Sequence, residues 1–171
     1  MMRTRAKMQI AASDCARRGN VPRHTLFGLY NKKILREAEL LGILDEMLEG
    51  KKTIVILGHV NPDGDCIGSC LGLYNYLKEN YEGLEVSVYL EKMGDKFSYL
   101  SGYGDVHTEY DDTKTFDLCI TSDASDVPRL GAFAPYLETA KDTFCIDHHI
   151  TNQGMCRVNV IESWASSASE V

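Results

Sequence analysis

Four acids and three histidines in this sequence fall into three short clusters. "GHVNPDGD" (58–65) holds His59, Asp63 and Asp65, "TSD" (121–123) ends on Asp123, and "IDHH" (146–149) supplies Asp147, His148 and His149. Carboxylates packed into one turn repel, and each raises the pKa of the next unless a proton or cation compensates. A helix N-terminus offsets only about 0.3–1 kcal/mol per charge, so a divalent metal, or two, is the stronger compensator. A mixed set of imidazole and carboxylate suits Mn²⁺, Mg²⁺ or Fe²⁺. No cysteine stands at these three positions, which argues against a thiolate zinc site. Two ions about 3.5–4 Å apart form the usual machine for phosphoester hydrolysis. Asp123, alone at the end of its run, is the best candidate to bridge them.

The local chemistry of the first cluster fits that reading. Pro62 fixes one φ angle and Gly64 lets the chain turn between the two acids, so that Asp63 and Asp65 can face different ions. Competing motifs fail by inspection. An EF-hand starting at Asn61 needs Gly at its sixth position and Glu at its twelfth, and the chain offers Cys66 and Gly72. No GK[ST] follows the glycines, and GxGxxG is absent.

Positioning these groups requires a fold that gathers strand ends. "TIVILG" (53–58), "LEVSVYL" (84–90), "FDLCITSD" (116–123), "TFCIDHH" (143–149) and "CRVNVI" (156–161) are short, β-branched, strand-like runs. Between them lie helical patterns at 34–50, 67–80 and 129–140, the last expected to break near Pro135. This alternation implies an α/β fold, a mostly parallel Rossmann-like sheet with helices on both faces. In such sheets ligands lie beyond the carboxyl ends of the strands. The first, third and fourth strands all end in the clustered acids and histidines.

Charge divides the chain unevenly. Residues 1–33 carry eight of the 18 Lys and Arg and one of the 25 acids, leaving the other 138 residues at −14. The basic opening lacks clean periodicity and is expected to be an unstructured extension. The acidic body is a poor duplex-coating surface and a ready acceptor of cations. No apolar run nears the roughly 18 residues of a membrane span, and no signal-peptide core follows the basic start. The six cysteines form no CxxC pair, so reduced thiols in a cytoplasmic protein are expected.

The three clusters, followed by "SSASE" (166–170), resemble the DHH phosphoesterase superfamily. The wording N-P-D-G-D-x-I-G-S is most similar to the DHH–DHHA1 proteins known as bifunctional oligoribonuclease and PAP phosphatases, or NrnA-like proteins. The resemblance covers about residues 35–171. It implies hydrolysis of short oligoribonucleotides and of 3′-phosphoadenosine 5′-phosphate at a two-Mn²⁺ centre. His59 and Asp63 would hold the first ion, Asp65 and His148 the second, and Asp123 would bridge them. His149 would face the substrate phosphate, and Asp147, with Asn61, would orient the ligands. Ser69 and Arg129 are weaker candidates for phosphate contacts. Rival substrates within the superfamily are cyclic-dinucleotide products, pyrophosphate, polyphosphate and single-stranded DNA. A metal- and nucleotide-binding module without turnover is the alternative from another class.

The pattern Ser167-x-x-Glu170 reads as a capping box for a helix whose body would follow Val171. Residues 34–171 are therefore expected to be a DHH domain lacking its carboxy-terminal part. By resemblance that part would carry a further aspartate ligand and a nucleotide-gripping DHHA1 domain, and it allows a homodimer of the full-length protein. The 171-residue chain alone is expected to be weak or inactive.

Overall fold

The computed structural model describes residues 39–171. The basic extension 1–33 and the first residues of the helix read at 34–50 lie outside them. The chain divides into two units, residues 1–44 and 45–171. The described residues 39–44 of the first unit are helical, as are 45–48 of the second, and this stretch is labelled α1. It stops at Gly50, whose φ of 72° is the left-handed geometry that suits a glycine after a helix.

Five strands form one wholly parallel sheet. They are β1 (Thr53–Leu57), β2 (Glu85–Tyr89), β3 (Leu118–Ser122), β4 (Thr143–Asp147) and β5 (Val158–Ile161). Their order in space is β2-β1-β3-β4-β5. The register sets Leu57 beside Thr121, Ser122 beside Ile146, and Asp147 beside Ile161, so neighbouring strands end level. The chain leaves β1 in one direction to reach β2 and returns past it to β3. The carboxyl ends of β1 and β3 thus flank the switch point, where open α/β sheets bind ligands.

Helix α2 (Gly64–Asn80) joins β1 to β2, and a 3₁₀ segment (Val127–Phe133) leading into α3 (Ala134–Thr139) joins β3 to β4. Right-handed crossovers running in opposite directions place these two connections on opposite faces, as the sequence predicts. α2 buries Ile67, Cys70, Leu71, Tyr74 and Leu77, an i, i+3/i+4 stripe packed on β1, β2 and β3. On the other face Leu130, Phe133, Tyr136 and Leu137 close over Val55, Leu57, Tyr89 and Cys119. β1 is buried on both sides, which is why its sequence is continuously apolar rather than alternating.

The element boundaries differ from expectation for local reasons. α2 starts at Gly64 rather than 67 because the Asp63 carboxylate accepts the amides of Asp65 (3.0 Å) and Cys66 (3.1 Å) and caps the helix. The break expected near Pro135 falls at Gly131 (φ 56°), where a Cβ would lie 2.5 Å from Val60 Cγ1. Pro135 instead opens α3, where a missing N–H costs nothing. The expected capping box does not close. Ser167 makes no side-chain cap bond, and Glu170 accepts from the amide and hydroxyl of Ser166 (both 2.9 Å). A 3₁₀ turn, Ala168–Glu170, follows.

The five described cysteines are all free. Among the described residues, no helix is long and apolar enough to cross a membrane.

Candidate metal centre

The loops after β1, β3 and β4 bring the three clusters together. Asp123 lies at their middle, buried to 2% exposure. Its Oδ2 is 3.6 Å from His59 Nε2, and its Oδ1 is 3.4 Å from His148 Nε2 and 3.6 Å from His149 Nδ1. The two oxygens of one carboxylate therefore face two different imidazole sets. Asp63 Oδ1 stands 3.9 Å from His59 Nε2 on the first side, and Asp65 Oδ2 stands 3.5 Å from His148 Nε2 on the second.

Backbone conformation enforces this placement. Asp123 has φ 58° and Asn61 φ 52°, the two non-glycine residues with positive φ among those described. Asp and Asn tolerate the left-handed region better than other side chains, and such geometry concentrates at functional sites. At Asp123 it ends β3 one residue before the expected boundary, while the Asp123 amide still donates to Ile146 O (3.1 Å). The loop after β1 is held from both sides, by Val60 N to Arg129 O (2.7 Å) and by Asn61 N to Glu91 Oε2 (2.8 Å). Asn61 is exposed, and the hydrogen bond it makes there is through its backbone.

Hydrogen bonds also set the histidine tautomers. Nδ1–H of His59 points at Val60 O (2.7 Å) and that of His148 at Ala165 O (3.3 Å), leaving both Nε2 atoms toward Asp123. Fixing one ring nitrogen on a carbonyl in this way prepares the other as a metal ligand. Asp147 is fully buried. Its Oδ1 accepts from the His148 amide and from His149 Nδ1, each at 2.8 Å, and its Oδ2 accepts from Asn152 Nδ2 at 2.7 Å. It thereby orients the His149 ring and holds the backbone at His148.

The site carries more negative charge than its hydrogen bonds offset. Burial, then the nearby Asp65 charge, pushes the Asp123 carboxyl up to about 6. Its Oδ1 is buried without any hydrogen-bond donor. An orphaned carboxylate oxygen beside the His148 Nε2 atom fits a cation. Asp63 titrates below the usual carboxylate range because the Cys66 amide donates to it.

Cys66, absent from the candidates read in the sequence, also belongs here. Its sulfur, a His59 ring nitrogen and an Asp123 oxygen all lie within 4.8 Å of one another. The sequence argument against thiolate looked only at strand ends, whereas Cys66 arrives from the first turn of α2. A hydrogen bond with the Cys70 side chain, then one with His59, holds the Cys66 thiol below its ordinary range. Its bond to Cys66, despite burial, raises His59 to about 9. The spacing Asp63-x-x-Cys66, an N-cap and its first-turn partner, was the available signal.

The two weaker candidates divide. Ser69 Oγ donates to Cys66 O (3.2 Å) and accepts from Ser122 Oγ (2.9 Å), tying α2 to β3 within the fold. Arg129 lies close enough for its charge to act on both His59 and Asp63, and its Nε is buried without a partner.

Two comparisons with known proteins agree with this geometry. The family model described as DHH family, N-terminal domain, matches residues 53–171. A crystal structure of an exopolyphosphatase-related protein from Bacteroides fragilis superposes with a TM-score of 0.69 at 27% identity. The match covers 75% of this chain and 40% of that one, so the present chain spans well under half of that relative.

Proposed function

The chain belongs to the DHH family, and on that premise we propose that it acts as a metal-dependent phosphoesterase on short oligoribonucleotides and 3′-phosphoadenosine 5′-phosphate. The observation that carries this reading is the divided carboxylate of Asp123, one oxygen toward His59 and the other toward His148. His59 and Asp63 would hold one divalent ion, Asp65 and His148 a second, with Asp123 shared. Mn²⁺ is the ion proposed, and Mg²⁺ and Fe²⁺ suit the same donors. When bound, such ions supply neutralising charge to phosphoryl oxygens and a water of lowered pKa.

The chain's own groups have separate tasks in this proposal. Asp147 fixes His149 through Nδ1, leaving Nε2 to hold a proton against a phosphoryl oxygen. The Arg129 guanidinium, with an unsatisfied buried Nε, would neutralise a second oxygen. Two cationic or proton-bearing groups around a bridged acidic centre suit a phosphate ester dianion or diester. The acidic body, at −14 over residues 34–171, would otherwise repel such a substrate.

Similarity to an exopolyphosphatase-related protein favours a second reading, in which inorganic polyphosphate or pyrophosphate is the substrate. Incubation with Mn²⁺ and RNAs of two to five residues separates the two. Slow release of 5′-mononucleotide, abolished in Asp123→Asn, is expected, in keeping with a chain that spans well under half of its matched relative. Orthophosphate from polyphosphate with intact RNA would replace the first reading with the second. Calorimetric metal binding with no product from any substrate would identify a binding module without turnover.

A further inference from the structure

We propose that Cys66 supplies a sulfur ligand at the first metal position, making it selective for a borderline ion such as Fe²⁺, Co²⁺ or Zn²⁺ over Mg²⁺. This rests on the metal-dependent reading above and adds a donor to it. Cys66, His59 and Asp123 are exposed by only 0%, 5% and 2%. Their donor atoms lie within 4.8 Å of one another, a spread that one ion with bonds of roughly 2.0–2.3 Å closes through small side-chain shifts.

Two observations separate this sulfur from an ordinary core cysteine. The first is what surrounds it. A packing thiol faces apolar neighbours, but this one faces an imidazole, the buried Asp123 carboxylate, and the His59 amide, which donates to Sγ at 3.3 Å. An N–H aimed at sulfur from the loop just past β1 stabilises thiolate, as does the N-terminal turn of α2. The second is the room made for it. Gly58 ends the β1 run directly beneath Cys66, and a Cβ there would lie within 2.5 Å of Leu90 Cδ2 and closer still to the sulfur. Cys70, one turn along the helix and equally buried, does not share a three-residue donor group among the described residues.

Sulfur changes which ions the position prefers. Soft thiolate favours Zn²⁺, Fe²⁺ and Co²⁺, whereas Mg²⁺ demands hard oxygen. Cobalt reports the ligand directly, because a Co²⁺–thiolate bond gives a charge-transfer band in the near ultraviolet. The test is Co²⁺ titration of the reduced, metal-free chain, followed by absorbance and calorimetry together. The band is expected in the parent chain and in Cys70→Ala, and is lost in Cys66→Ala and Cys66→Ser. Co²⁺ affinity at that position should fall at least about tenfold in the Cys66 variants. Zn²⁺ should bleach the band, and excess Mg²⁺ should not. Far-ultraviolet circular dichroism checks the folding of each variant, and the serine variant serves if alanine unfolds the chain. Cobalt bound by calorimetry without the band, or a band surviving in Cys66→Ser, overturns the sulfur ligand and leaves the metal-dependent reading standing. No cobalt binding by calorimetry overturns both.

Discussion

The carboxylate of Asp65 caps a turn that begins 103 residues later. Its Oδ2 accepts the Ala168 amide at 2.7 Å, and its Oδ1 accepts the Ser169 amide at 3.0 Å and the Ser169 hydroxyl at 2.7 Å. An acid read in the sequence as a metal ligand thus also anchors the segment that follows β5. Removing a cap of this kind costs about 0.5–2 kcal/mol. Asp65→Ala should therefore speed hydrogen exchange at the Ala168 and Ser169 amides while leaving β1 and β3 protected. Unchanged exchange at both amides would show that other contacts hold the segment.

Gly58 tests the packing beneath the site. A methyl group there would overlap Cys66 Sγ and Leu90 Cδ2, and overpacked cores lose about 1–3 kcal/mol. Gly58→Ala should lower the denaturation midpoint accordingly. Gly72→Ala makes the control, because a Cβ at that position meets nothing within 4 Å. In the middle of α2 it should be neutral or stabilising.

Asp147 acts through the histidines that it holds. Asp147→Asn keeps the shape but cannot accept from His149 while also taking up the Asn152 amide in the same way. Such orienting partners typically contribute 10–100-fold to metal affinity. Mn²⁺ affinity should fall by about that factor, with the far-ultraviolet spectrum unchanged. An unaltered affinity would mean that the histidines hold their positions without it.

Asp142 makes stability depend on pH. Its side chain receives Lys51 Nζ (3.1 Å) from the approach to β1, the Thr143 amide (2.9 Å) from β4, and Arg157 Nη2 (2.7 Å) from the approach to β5. The Arg157 bond, chiefly, holds its carboxyl far below the usual range. A depressed folded pKa contributes stability that is fully present above the unfolded value near 3.9 and is lost as pH falls toward the folded one. Asp142→Asn should cost about 2 kcal/mol at pH 7, with the gap to the parent shrinking below pH 4. Urea unfolding at pH 7 and pH 3 measures this, and a constant gap would count against the ion-pair account.

How much of this was legible depended on how local each signal is. The unbroken TIVIL run foretold a strand buried on both faces, and the alternation of strands and helices foretold the parallel sheet, because both follow from periodicity alone. The convergence of His59, Asp123 and His148 was legible from strand ends plus one topological rule. Other features depend on partners far along the chain. Ser167 and Glu170 carried the letters of a capping box, yet the cap is Asp65, which no local pattern reveals. Cys66 looked like a core thiol until Gly58 and the Asp63 cap set its depth beside His59. The left-handed backbone at Asp123 left only a weak trace, the choice of an acid where β3 stops.

The central claim is that Asp123 joins two cation positions. Isothermal titration of the metal-free chain with Mn²⁺ measures it, alongside Asp123→Asn, a substitution that the left-handed backbone accommodates. Two bound equivalents are expected in the parent and a collapse of both in the variant. The variant's own metal-free stability should rise, because a buried, underpaired charge has been removed. Two equivalents bound to Asp123→Asn with parental affinity would contradict the account.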